Sequence, residues 1–396
     1  MSKKIQILNL GFHPYADTFI EKKYLQYSEP IYQLACELDK KNYLIQNKIK
    51  TSDFERYNLY DYSYTSSNSS FSKNYWRQYF LDINEYLKKN NKIKKNFKIL
   101  EIGSNDGYLL SQFKKNKFSI MGIDASKKMC QIANKKKIKT LNLLFNYKTS
   151  QKIKKQYKTS NLIIANNVLN HSNDPEDFLK AAKNLMNKDA ILIFEFPYWS
   201  NLIKDMKFDQ IYHEHVSYFT VKYLKFFFKK IELSITHIQE TDYHGGSLRI
   251  FVERKKNSLD DRIVQNYIKK EEKQGLFKKK TYEVFTNEIK KRKMILLKKI
   301  IKYKSLNYTV VGVGAAAKAN TFINYMGFNN EIVDFVTDIS KFKIGKWLPL
   351  SRIPIKHDKD LRKIKKLCVI ILSWNLYKIL KPKILKINKR AKLVSF

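Results

Sequence analysis

Cysteine is scarce in this chain. The 396 residues hold three, Cys36, Cys130 and Cys368, far apart in sequence. No two have metal-binding or redox spacing, which argues against a disulfide framework. Long apolar runs are missing as well. A membrane-spanning helix needs about 18 or more consecutive apolar residues, and none occurs, so no membrane partner is expected. The start, Met1-Ser2-Lys3-Lys4-Ile5, lacks an apolar signal core, and a cytoplasmic location is expected. Arginine is rare too: nine of the 77 basic residues. The formal charge of +41 invites a nucleic-acid reading, but Arg is the preferred reader of phosphates and base edges, and the lysines are spread over most segments. No nucleic acid is expected as a partner. Glycine and proline number only 11 and 7, so each glycine cluster stands out.

The length predicts two or three domains. Residues 1–75 read as an irregular cap, with a turn at Gly11-Phe12-His13-Pro14 and a polar loop at Ser66–Ser70. Tyr57, Tyr60, Tyr62 and Tyr64 precede that loop, as packing for the cap or as phenols lining a pocket. Residues 76–255 read as an α/β core, 256–305 as a Lys-rich helical linker, and 306–396 as a second α/β unit. The core opens with a helix over Phe71–Lys89, where Trp76, Phe80, Ile83 and Leu87 recur at helical spacing.

Strand Phe97–Ile102 then runs into Gly103-Ser104-Asn105-Asp106-Gly107, and Tyr108 opens a helix. Gly103 and Gly107 let backbone approach a ligand closely. The next strand ends at Asp124, about 20 residues beyond the turn, where a carboxylate accepts a ribose hydroxyl pair. The form Glu101-x-Gly103-x-x-x-Gly107 suits S-adenosylmethionine (SAM) better than a dinucleotide, whose pyrophosphate wants a tighter glycine turn. A following strand delivers Asn166, Asn167 and His171 to the carboxyl edge of the sheet, where ligands of open α/β sheets sit. Two late strands flank Tyr243-His244-Gly245-Gly246-Ser247 and predict an antiparallel edge.

Between these parts lies Asp209-Gln210-Ile211-Tyr212-His213-Glu214-His215-Val216-Ser217-Tyr218-Phe219. It concentrates groups that move protons near neutral pH. In the last unit, Gly312-Val313-Gly314-Ala315-Ala316-Ala317-Lys318 follows a strand and opens a helix at Asn320. Such a turn with an ammonium is suited to cradling phosphate.

These motifs, in this order, resemble the sugar C-methyltransferases that act on nucleotide-linked keto-sugars. The likeness covers nearly the whole chain. It rests on Gly11–Phe19, Tyr64-Thr65-Ser66-Ser67, Glu101–Gly107, Asn167-Val168-Leu169-Asn170-His171, Tyr212–His215, His244–Arg249, Gly314–Lys318, Pro354-Ile355 and Trp374-Asn375. The resemblance implies a Rossmann-like class I methyltransferase core between a small N-terminal cap and a C-terminal Rossmann-like α/β domain that helps hold the nucleotide sugar.

It implies SAM held by Glu101, Gly103, Asn105, Gly107, Asp124, Asn166 and Asn167, and a nucleotide-linked keto-sugar held by His244, Gly245, Ser247, Arg249, Lys318 and Asn320. The carbon beside the sugar ketone would lose its proton to His215. Glu214 would orient that ring, Tyr212 would donate to the enolate oxygen, and His171 and Tyr64 would share the pocket. Two departures stand out. The family's cap carries two cysteine pairs for zinc; here only Cys36 matches and Asp39 replaces its mate, so zinc is not expected. Pro349-Leu350 stands where similar proteins carry Pro-Gly. Two rivals stay open: O- or N-methylation of another small-molecule or saccharide acceptor, and a non-catalytic sugar-nucleotide binder. The oligomeric state is open too.

Overall fold

A computed structural model describes residues 4–53, 55–59, 65–67, 69–254 and 261–396. The cap, expected to be irregular, is built on strands. β1 (Lys4–His13), β2 (Tyr32–Asp39) and β3 (Ile45–Asn47) pair antiparallel. The overlooked signal is the two-residue alternation that buries Ile5, Ile7 and Leu10 on one strand and Leu34, Cys36 and Leu38 on its neighbour. Two irregularities in the β1–β2 register, at Gln6/Leu8 and Asn9/Phe12, interrupt that alternation. Cys36 lies fully buried in this apolar layer, and burial drives its thiol well above the usual range.

α1 (Ser70–Lys89) begins at Ser69, whose hydroxyl accepts from the Ser72 N–H. The core follows with β4 (Lys98–Ile102), α2 (Tyr108–Lys115), β5 (Ser119–Asp124), α3 (Lys127–Lys135), β6 (Thr140–Asn142), α4 (Tyr147–Tyr157), β7 (Ser160–Asn166), α5 (Pro175–Leu185) and β8 (Met186–Pro197). Next come α6 (Trp199–Lys204), β9 (Ser217–Tyr218), α7 (Val221–Lys230), β10 (Leu233–Thr241) and β11 (Ser247–Arg254). Its seven-stranded sheet runs β10-β11-β8-β7-β4-β5-β6. The strands from β4 to β8 are parallel, whereas β10 and β11 form the antiparallel edge. Strand order reverses between β4 and β7, which places a ligand crevice at their carboxyl ends. This order, with β11 alone running against the other six strands, is that of a Rossmann-like class I methyltransferase core.

β9 does not join this sheet. It pairs with β3 and completes the cap's sheet, in the order β1-β2-β3-β9. The segment just before β9, residues 211–216, is thereby clamped between core and cap. The Lys-rich stretch forms α8 (Asp261–Lys273) and α9 (Lys279–Ser305). α9 buries Tyr282, Phe285, Ile289, Leu296 and Ile300 in one apolar cluster with the cap and the last domain.

That domain holds β12 (Thr309–Val313), α10 (Ala317–Met326), β13 (Phe335–Asp338), β14 (Ile355–His357), β15 (Leu367–Ile371), α11 (Tyr377–Ile387) and β16 (Lys392–Val394), with a parallel sheet ordered β14-β13-β12-β15-β16. Strand β13 starts at Phe335, after a turn in which the Ile332 and Val333 N–H groups donate to the Asn329 carbonyl. Among the described residues no helix is long and apolar enough to cross a membrane.

Candidate active site

The cofactor half of the site forms where β4 meets its glycine turn. Gly103 (φ 70°) and Gly107 (φ 75°) take left-handed conformations, and a Cβ on Gly103 would lie 2.9 Å from the Val168 side chain. Asp124, at the end of β5, accepts the Asn105 N–H on one carboxylate oxygen and the Ser126 N–H on the other, each at 2.8 Å. Burial raises its carboxyl to about 6, against the pull of those two N–H groups. The side chain of Asn105 faces the cap and accepts the Ser66 N–H at 2.9 Å. A cleft of about 700 Å³ opens beside this turn, lined by Gly103, Asp124, Phe145, Asn146, Val168 and His171 among others.

Several buried polar atoms here have no hydrogen-bond partner among the described residues: Glu101 Oε2, Asn166 Nδ2, and both side-chain ends of Asn167. Buried polar groups are normally hydrogen-bonded, so this set fits a polar ligand. Burial pushes the Glu101 carboxyl well above the carboxylate range, helped by Asp106 and Asp124. A cationic amino group beside Glu101 would reverse that shift. Asn166 is anchored by its other end, which accepts from the Tyr79 hydroxyl at 3.1 Å. Asn167 is held in a left-handed conformation (φ 51°), its N–H donating to the Glu195 carbonyl at 2.7 Å. These residues fit SAM.

The proton-transfer half is contiguous with that cleft. His171 lines it, and the His171 and His215 rings lie 5.1 Å apart. His215 Nδ1 donates to the Gln210 carbonyl at 3.2 Å, which assigns the tautomer with a lone pair on Nε2. The Tyr212 hydroxyl sits 2.6 Å from that Nε2, and the two rings stack at 4.0 Å. Burial lowers the His215 imidazole well below its ordinary value, assisted by His171, His244 and Lys318. His171 falls to about 3 from burial and Arg56, and its Nδ1 lies 3.3 Å from the Tyr57 hydroxyl. The site therefore holds neutral imidazoles.

The tetrapeptide Tyr212–His215 divides its labour. Tyr212 and His215 face the site, whereas His213 and Glu214 face the cap. The His213 ring packs edge-on against Tyr15 and Tyr32 and donates from Nε2 toward the His13 and Tyr32 carbonyls. Glu214 was expected to orient His215. Instead its carboxylate accepts the Asp17 N–H at 2.9 Å and the Ala16 N–H at 3.3 Å. Its two oxygens meet two backbone donors of the cap, which outcompete an imidazole already satisfied at Nδ1.

Three residues assigned to substrate hold the fold instead. Arg249, 1 % exposed, donates from Nε to Glu195 at 2.9 Å, reaches Asp82 at 3.1 Å and lies on the Tyr79 ring at 4.0 Å. Burial opposes its charge, but Glu195 and the neighbouring phenols keep it protonated. The Ser247 hydroxyl donates to the Tyr243 carbonyl at 2.9 Å. Asn320 donates from Nδ2 to the Ala16 carbonyl, tying the last domain to the cap. Its Oδ1 is buried without a partner.

Other assigned residues reach the site. His244 is left-handed (φ 51°), and its carbonyl accepts from Gln210 Nε2 at 2.7 Å. Burial and Lys318 lower its imidazole to about 3. Gly245 offers its carbonyl to the Lys207 ammonium. Lys318, on the first turn of α10, lies 5.1 Å from the Trp374 ring centre. Tyr64 lies outside the described residues, as do Tyr60 and Tyr62.

Sequence reasoning gave no role to Asp209, Gln210 or Trp374. Trp374 Nε1 donates to Asp209 Oδ2 at 2.5 Å, joining the last domain to the core. Gln210 holds both His215 and His244. Trp374 was visible as a motif residue; nothing in its spacing pointed to Asp209. Among the described residues no cluster of three or more His, Cys, Asp or Glu is arranged to hold a metal.

A glycine turn, an acid ending the next strand and this strand order define a SAM-dependent methyltransferase domain. Comparison with known families agrees: residues 74–238 match the family described as "Methyltransferase domain", and residues 242–394 match "C-methyltransferase C-terminal domain". Among curated proteins, the C-methyltransferase NovU of Streptomyces niveus is 26% identical over 278 residues, 70% of this chain and 66% of that protein. A ubiquinone biosynthesis O-methyltransferase of Pelagibacter ubique is 33% identical over 107 residues, 27% of this chain and 44% of that protein. The chain thus spans just under two thirds of the first relative's length and under half of the second's. The solved magnesium protoporphyrin IX methyltransferase ChlM from Synechocystis PCC 6803 with bound SAM covers 45% of this chain, and 79% of its own length is matched. Identity is 14% and the TM-score 0.35, too slight a likeness to add to the strand order.

Proposed function

We propose that this protein is a SAM-dependent C-methyltransferase acting on a nucleotide-linked deoxy-keto-sugar. The observation that carries the reading is His215: a neutral imidazole with its lone pair on Nε2, buried beside His171 and so one ring removed from the cofactor cleft. Methylation at carbon requires removal of a C–H proton next to the ketone. An imidazole held neutral and dry is equipped to accept that proton. Bound SAM supplies an electrophilic methyl group. The protein's part is to hold Nε2, the acidic C–H and the donor in line, and alignment of this kind is worth roughly 7–11 kcal/mol of barrier.

The nucleotide part of the substrate is supported by the last domain. Its turn repeats the construction at Asp124: Asp338 accepts the Ala315 N–H at 2.9 Å and the Ser340 N–H at 2.8 Å. Two nucleoside-type turns on one chain suit two nucleoside ligands, one on each side of the imidazole cluster. Carbon as the methyl acceptor draws support from the C-terminal domain family and from the relative named a C-methyltransferase.

The test is His215→Ala with a thymidine-diphosphate-linked 4-keto-6-deoxyhexose as probe. Methyl transfer should fall at least about 100-fold, the low end of general-base contributions, with SAM affinity by calorimetry unchanged. Product NMR should show the new methyl on carbon. A methyl on oxygen or nitrogen would select the alternative acceptor class, and full activity in His215→Ala would remove the base.

A further inference from the structure

A neutral imidazole removes a carbon-bound proton readily only where the charge left on oxygen is stabilised. Enolate formation then depends on what receives the charge on oxygen. Tyr212 has its hydroxyl at His215 Nε2. Two ammonium groups lie near the Trp374 indole, Lys207 at 5.3 Å and Lys318 at 5.1 Å from the ring centre. Lys207 is engaged with Asp205 and with the Gly245 carbonyl. Lys318 projects from the start of α10, and its charge bears on both His215 and His244. The indole is itself fixed by donating to the buried Asp209, whose neighbour Gln210 holds His215 Nδ1. Lys318 and the base are thus positioned by one short chain of contacts.

Resting on the function proposed above, we infer that Lys318 is a catalytic residue: its ammonium receives the developing enolate oxygen while His215 removes the proton. In that step the C–H bond beside the ketone breaks, and its proton forms a bond to His215 Nε2. The C–H electron pair becomes the C=C bond of the enolate, and the carbonyl π pair moves to the oxygen facing Lys318. Before substrate enters, Lys318 and an imidazolium at 215 would repel. Once an enolate oxygen lies between them, both cations are attracted to it. The arrangement therefore discriminates the charged intermediate from the neutral ketone, which is the requirement for lowering a barrier.

Among the described residues, Asp209, Lys207, His215, His244 and the Trp374 ring are groups that interact with Lys318. Burial and Lys207 make its ammonium easier to deprotonate, and Asp209 opposes them, leaving it near 8. The charged form is the active one, so activity should decline as pH rises through about 8.

The experiment compares the full chain with Lys318→Met and Lys318→Arg. The first readout needs no substrate: NMR titration of the His215 ring. In Lys318→Met, which removes the charge, His215 should titrate at higher pH than in the wild type; in Lys318→Arg it should not. The second is deuterium uptake beside the ketone of the thymidine-diphosphate-linked 4-keto-6-deoxyhexose, in D2O with S-adenosylhomocysteine. Exchange in Lys318→Met should fall about 100- to 1,000-fold, the loss typical of removing one oxyanion donor, with S-adenosylhomocysteine affinity unchanged. Wild-type exchange in Lys318→Met, or an unmoved His215 titration, overturns the assignment. Absence of exchange in the wild type would sink the keto-sugar reading on which it rests.

Discussion

Replacing Arg249 with methionine should destabilise the core by about 3–5 kcal/mol, the usual penalty for removing one partner of a buried ion pair. The figure follows from what is left behind. Glu195 is fully buried, and its Oε2 accepts the Arg249 Nε–H at 2.9 Å. Without the guanidinium it keeps the Tyr75 hydroxyl on its other oxygen but loses the cation that offsets burial. Asp82 loses a partner too, and the contact with the Tyr79 ring, worth about 1–2 kcal/mol when desolvated, disappears. With a urea slope of about 3 kcal/mol/M, the midpoint of the core transition should fall by about 1–1.7 M. The double variant Arg249→Met/Glu195→Leu should recover most of the loss, because an apolar pair of similar volume replaces a buried ion pair at little cost. Urea titration by circular dichroism, alongside KM for the sugar nucleotide, decides the matter. A stable Arg249→Met with a greatly raised KM would show that the guanidinium binds substrate and that its place in the fold has been misread.

Three further outcomes follow from the structure. Asp124→Ala should weaken SAM about 10- to 100-fold by calorimetry, since charge-assisted hydrogen bonds contribute about 1.5–3 kcal/mol; equal affinity would put the nucleoside elsewhere. The buried histidines should contribute a loss of stability on acidification below about 6.5, opposed by buried carboxyls such as Glu101, Asp124 and Glu214, whose raised values let the native state bind protons first. His13, His171, His213, His215 and His244 all have lowered values in the fold, so the unfolded chain binds protons there that the native state refuses. Each contributes up to about 1.4 kcal/mol per pH unit; a His213→Gln variant whose melting temperature changes between pH 7 and 5 as the wild type's does would contradict this. Leu350 takes a left-handed backbone (φ 63°) and is exposed. Leu350→Gly should therefore gain up to about 1 kcal/mol, read as a higher melting temperature; a loss would mean the side chain holds that turn.

Much of the cofactor half was legible in the sequence because it is local. Glu101, the glycine turn and Asp124 follow one another along a strand-turn-helix-strand unit, and such a unit dictates its own geometry. The same holds for the turn at Gly312–Lys318 and its Asp338. The cap was misread as irregular because short alternating strands broken by register shifts give a weak periodic signal. Glu214 and Arg249 were misassigned for a different reason. Polar residues within a motif look alike in sequence whether they face a ligand or a buried partner. Only the packing of Asp17 and Ala16 against Glu214, and of Glu195 against Arg249, separates the two cases.

By itself the sequence determined the two α/β units, the residue types fit for holding a nucleoside cofactor, and the concentration of imidazoles and phenols at 212–215. These depend on residues close in the chain. Tertiary structure alone decided which of those side chains meet. β9 crosses into the cap's sheet and turns His213 and Glu214 toward it, leaving Tyr212 and His215 for chemistry. Trp374, 165 positions beyond Asp209, reaches it with its indole, and Lys318 lies 5.1 Å from the centre of that ring. Contacts of such sequence separation are set by how three layers pack around a shared apolar core, and no local pattern encodes them.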